Sequence, residues 1–103
     1  MTAKFARVHI AEILDHSSGR LIVRGHAWAL GTVTAYRLNA KGEEVQAYYA
    51  DYEDHTDEDG KEVRAAIFPC LPTGNYKVCR PGFTRIGHHV TVFPAHVGEI
   101  ELT

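Results

Sequence analysis

The side chains with most chemistry to offer are the histidines, seven in 103 residues, at positions 9, 16, 26, 55, 88, 89 and 96. Imidazole is a favoured ligand for zinc, copper and nickel. A pair at i, i+2 would put two rings on one face of a strand, and no pair has that spacing. His88 and His89 are adjacent, so in a strand they project to opposite faces. The best composite site joins His89 and His96, expected on the two arms of one hairpin, with a third ligand from elsewhere. Its ion would be zinc or another transition metal. The competing expectation is scattered polar surface histidines, a few of them half-buried and hydrogen-bonded.

Asp54, Asp57, Glu58 and Asp59 gather just before Gly60 and invite a calcium reading. An EF-hand loop with its glycine at Gly60 would start on His55 and end on Ala66, where it needs an oxygen ligand and a bidentate glutamate. Neither fits, so the cluster reads as a solvated turn in which aspartate oxygens accept from nearby amides and Gly60 supplies positive φ. Cys70 and Cys79 lack the CxxC spacing of a zinc or redox site. They flank an expected hairpin turn as diagonal neighbours, too far apart for easy bridging, and read as two free thiols, one or both buried, with a disulfide as the alternative.

The aromatic residues offer binding rather than chemistry. Tyr48, Tyr49 and Tyr52 cluster with Asp51 and Glu53, and Trp28 stands in the central apolar run. Exposed Tyr and Trp on one sheet face grip a sugar ring or a partner protein, which makes Tyr48, Tyr52 and Trp28 the candidate binding set. Against it stands an arrangement with Tyr49 buried, Tyr48 and Tyr52 on the surface without function, and Trp28 in the core. A serine nucleophile elbow, a P-loop and a Rossmann glycine fingerprint are all missing from the sequence.

The elements that must carry these side chains read as strands. Turn signals recur at Ser17-Ser18-Gly19, Gly31, Asn39-Ala40-Lys41-Gly42, Asp57-Glu58-Asp59-Gly60, Pro72-Thr73-Gly74, Pro81-Gly82 and Phe93-Pro94-Ala95-His96. Between them Val63, Ala65 and Ile67 alternate with Arg64 and Ala66, Tyr76 and Val78 with Lys77, Val90 and Val92 with Thr91, and Ile100 and Leu102 with Glu101. Period two with one polar face marks a half-buried antiparallel strand. The run from Leu21 to Leu38 reads as two strands joined near Gly31, one covered on both faces. Residues 3–14 fit a strand through Val8 and Ile10, although Ile10, Ile13 and Leu14 also suit a helical stripe.

Length confines all this to one domain, residues 1–103. With 45% hydrophobic and 23% charged residues the composition is ordinary for a globular chain. A net charge of −2 with dispersed cations lacks the footprint of a nucleic-acid binder. No stretch has the apolar length to span a bilayer, and no apolar run follows the charged start, so neither membrane insertion nor a signal peptide is expected. If Met1 is the native start, the compartment expected is the cytoplasm or signal-less export.

The stretch Thr56-Asp57-Glu58-Asp59-Gly60-Lys61, a strand, and then Leu71-Pro72-Thr73-Gly74-Asn75-Tyr76-Lys77-Val78 resembles the turn-strand-turn signature of transthyretin-like sandwiches. Carboxypeptidase regulatory-like domains and collagen-adhesin B-type repeats belong to that group. His89 through Leu102 is similar to their closing hairpin, with His96 where a glycine usually stands, and Gly31 through Gly42 matches an earlier strand pair. The resemblance covers about residues 19–102. It implies an antiparallel, Greek-key β-sandwich of about seven strands, related in plan to other immunoglobulin-like and carbohydrate-binding sandwiches, with Tyr76 packed inside. Ile13-Leu14-Asp15-His16-Ser17-Ser18-Gly19-Arg20 also looks like the opening of 5-hydroxyisourate hydrolases. Their Tyr-Arg-Gly-Ser tail is replaced here by Glu99-Ile100-Glu101-Leu102-Thr103.

Two functions follow as expectations. One is a non-catalytic binding or assembly module that docks a protein or a carbohydrate through an exposed sheet face or loops, or pairs edge strands into a homo-oligomer. The other is a histidine-based metal-binding protein or metal-dependent hydrolase on the same scaffold.

Overall fold

The computed structural model describes the backbone of residues 11–15 and 19–103, and all of their side chains except those of Asp15, Trp28 and Ala29. Eight strands follow in order: β1 (Ala11–Asp15), β2 (Leu21–His26), β3 (Thr34–Leu38), β4 (Glu44–Tyr49), β5 (Asp51–Thr56), β6 (Glu62–Phe68), β7 (Gly74–Ile86) and β8 (His89–Leu102). A single helical turn, α1 (Ala27–Leu30), lies between β2 and β3. The strands form two antiparallel four-stranded sheets in the orders β1-β2-β6-β5 and β4-β3-β7-β8. This is an all-β sandwich.

Hairpins and crossovers alternate along the chain. β1–β2, β3–β4, β5–β6 and β7–β8 are hairpin pairs within a sheet, and each intervening connection changes sheet. The count exceeds the expected seven because the run from 44 to 56 breaks at Ala50, after which the chain crosses to the other sheet. The interval from Leu21 to Leu38 does hold two strands, and β2 is buried along almost its whole length.

The core lies between the sheets. Leu21, Val23, Ala66 and Phe68 from one sheet meet Ala35, Tyr76, Val78 and Leu102 from the other, with Leu30, Val33 and Leu71 closing the ends. Burying each large aliphatic side chain there contributes about 1.5–3 kcal/mol. Tyr76 is wholly buried, and its hydroxyl donates to the Pro72 carbonyl at 2.6 Å. Burial pushes its phenol pKa up, with the neighbouring Tyr48 adding to the effect and Arg37 opposing it.

Two turns share one construction. Asn39 Oδ1 accepts from the amides of Lys41 and Glu43, each at 2.9 Å, and Asp57 Oδ1 accepts from those of Asp59 and Lys61, also at 2.9 Å. Gly42 and Gly60 complete them at φ +80° and +79°, a left-handed geometry that side-chain-bearing residues resist. One turn serves each sheet.

Asp57 is buried, whereas Asn39 is exposed. Replacing Asp57 with Ala strands two amides, and the expected loss in a urea unfolding curve is about 1–3 kcal/mol. Asp57→Asn keeps the accepting oxygen and should lose much less.

Candidate functional site

β3 pairs with β7 from Leu38 opposite Asn75 to Thr34 opposite Cys79, and there β3 stops. β7 and β8 go on together to Ile86 opposite His89 and turn at Gly87-His88. Beyond Cys79 they form a two-stranded ribbon. Seven residues, Arg80 to Ile86, at about 3.3 Å each carry it roughly 23 Å past the last three-stranded register.

Two signals read from the sequence as turns lie inside this ribbon. Pro81 stands directly opposite Pro94, and Gly82 opposite Phe93. Proline has no N–H to give a ladder and is confined to edges in sheets. Here β3 has already ended, so among the described residues no third strand needs the missing donor. A Cβ on Gly82 would fall 2.7 Å from the Phe93 ring, so the glycine makes room for the aromatic ring packed across it.

The ribbon's surface is apolar. Phe83, Ile86, Val90, Val92 and Phe93 are between 43% and 77% exposed. Cross-strand partners share a face, so Phe83 with Val92 and Val90 with Arg85 lie on one side, while Ile86 with His89 and Phe93 with Gly82 lie on the other. Val90 and Val92, whose alternation with Thr91 suggests a half-buried strand, are therefore exposed. At the base of the ribbon an open cleft of about 300 Å³ is lined by Thr34, Tyr36, Cys79, Pro81, Val92 and Pro94. Val92 belongs both to the cleft and to the Phe83/Val92 face, and Phe93, from the other face, also lines the cleft.

The candidate residues named from the sequence fall in different places. Tyr48, opposite Ala35, points inward and packs edge-on against Tyr76 with ring centroids 6.1 Å apart. Tyr49, opposite Thr34, faces out and is 70% exposed, which reverses the expected phase of the pair. Tyr52 is partly exposed. Its hydroxyl accepts from the Val33 amide at 2.7 Å, and the Arg64 guanidinium lies 5.5 Å from its ring centroid. Trp28 belongs to α1, and its side chain lies outside the described set. His9 and His16 also lie outside the described residues.

His89 and His96 are not on two arms of a hairpin, since both belong to β8, seven residues apart. His96 pairs with Cys79 and His89 with Ile86, on opposite faces and roughly 23 Å apart along the strand. Among the described residues no three His, Cys, Asp or Glu side chains converge as a metal ion would require. Nor do the cysteines flank a hairpin turn. Cys70 sits in the crossover from β6 to β7, exposed, and Cys79 is buried in the other sheet. Both are free thiols.

Neither the protein-family models nor the curated proteins contain a match to this chain.

Cys79 reports on the base of the ribbon. Burial pushes its thiol pKa up, against the pull of the Lys77 ammonium, so the folded protein favours the neutral thiol. That contribution to stability is present below the ordinary thiol pKa and declines as pH rises past it. A chromogenic disulfide reagent at neutral pH is expected to titrate one thiol, Cys70, in the folded protein and both in denaturant. Rapid reaction of two thiols without denaturant would contradict the burial of Cys79.

Proposed function

We propose that this chain is a non-catalytic docking module that holds a protein through the β7–β8 ribbon. The observation that carries the reading is the exposure of Phe83, Ile86, Val90, Val92 and Phe93 on an element that adds nothing to the core. Taking about 150–200 Å² for a large apolar side chain, these five expose about 500 Å² of apolar surface, as much as the largest patch of a typical monomer. A two-stranded ribbon is marginal in water by itself, so covering both its faces is a gain that a partner can supply. Arginine and aromatic residues placed together, as Arg85 with Phe83 on one face, are the usual anchors of protein interfaces. The turn-strand-turn pattern shared with transthyretin-like sandwiches, which include modules without catalytic residues, agrees with this reading.

A photoreactive phenylalanine analogue in place of Phe83 tests it in the native cell. The reading expects a defined protein crosslink that disappears when Ile86→Ser and Val92→Ser are added and is not formed from the same analogue at Thr73, in the β6–β7 crossover. No protein adduct from the ribbon, or the same adduct from both positions, would sink it.

A further inference from the structure

Charge is divided along this chain into two blocks. Residues 43–62 contain nine of the 13 acidic residues and a single lysine. From Val78 through Gly98 there is no acidic residue, while Arg80, Arg85, His88, His89 and His96 fall there. The fold sets the blocks apart. β4 and β5, joined through Ala50, are edge strands of the two sheets among the described residues and form one flank of the sandwich. The other edges, β1 and β8, pack against each other on the opposite flank, and the ribbon continues from there.

We infer that the ribbon of one copy docks on the β4–β5 flank of a second copy, so that chains join head to tail. The inference rests on the docking reading given above and names the partner. Electrostatics selects this pairing: flank against flank brings acids together, ribbon against ribbon brings arginines together, and only ribbon against flank is attractive. The flank also offers apolar partners for the ribbon, because Val45, Tyr49 and Tyr52 are exposed among its carboxylates. Asp51, Glu53 and Asp54 along β5 guard that edge against adding a like strand. The same charges favour a strand that carries arginine. The apolar side chains of the ribbon are divided between its two faces, so one flank covers only part of them, less than the roughly 800 Å² per partner of a standard interface, and the contact belongs to the weak, concentration-dependent kind. Such a contact is heterologous, so it propagates unless the rotation between copies closes a ring.

Sedimentation velocity on the full chain tests the inference. The unaltered protein should associate with rising concentration, and added salt should weaken the association. A ribbon variant, Phe83→Ser with Val92→Ser, and a flank variant, Asp51→Lys with Glu53→Lys, should each be monomeric while unfolding at the parent's denaturant midpoint. Mixed in equal amounts they should form a one-to-one dimer and nothing larger, because only one intact ribbon and one intact flank can meet. If the ribbon variant fails to fold, Arg85→Glu replaces it. That variant should weaken association about tenfold or more, and mixing it with the flank variant should restore binding, since an intact ribbon again meets an intact flank and the swapped charges also attract. A parent protein that stays monomeric, a flank variant that still associates with itself, or a mixture that stays monomeric would overturn the inference. A crosslink from Phe83 to a different protein, with a monomeric parent, would overturn the second copy as partner and leave the docking module standing.

Discussion

The register of three strands governs this molecule. β3 ends at Thr34, opposite Cys79, while β7 and β8 continue. On one side of that point β7 is a central strand whose inward residues, Tyr76 and Val78, are wholly buried. On the other side the same strand has a single neighbour among the described residues, and its side chains lose the opposing sheet. The sandwich and the ribbon are one hairpin under two conditions of cover.

The two parts are held differently. The sandwich relies on interdigitated side chains from both sheets and on turns tied by Asn39 and Asp57. Ion pairs such as Lys77 with Glu44 and Arg64 with Asp54 sit on its surface, where such pairs contribute little. The ribbon has ladder hydrogen bonds, the Phe93 ring over Gly82, and apolar side chains facing water. An arm of that kind belongs to the less stable end of a structure, and a surface that covers it would order it.

The legible parts of the fold were local. An Asx residue followed three places later by glycine closes its own turn, so Asn39-Gly42 and Asp57-Gly60 are plain from the sequence. Alternation at Tyr76 and Val78 reveals a strand and its inward face, whereas Val63, Ala65 and Ile67 reveal a strand but the wrong face, because Ala66 and Phe68 are the residues packed between the sheets. Pro81-Gly82 and Phe93-Pro94 misled because a breaker dipeptide signals a turn only where a third strand would need its N–H. The absence of that strand is a tertiary fact. The phase of Tyr48 and Tyr49 was hidden for a similar reason. Residues 44–56 hold no clean alternation, and the pairing of Ala35 with Tyr48, beyond a register shift near Leu38, sets which ring turns inward. The ribbon as a candidate site was therefore closed to sequence reasoning, although its raw signals, Phe83, Val90, Val92 and the lack of acids around them, were in view.

If docking is the ribbon's role, the surface it covers keeps it in place rather than the sandwich it grows from, and hydrogen–deuterium exchange on the dilute and the associated protein decides the matter. Amides of residues 82–93 are expected to exchange fast in the dilute protein while those of Val23, Ala66 and Val78 stay protected. Association is expected to slow the ribbon amides alone. Ribbon amides as protected as the core in dilute protein, and unchanged on association, would contradict that role.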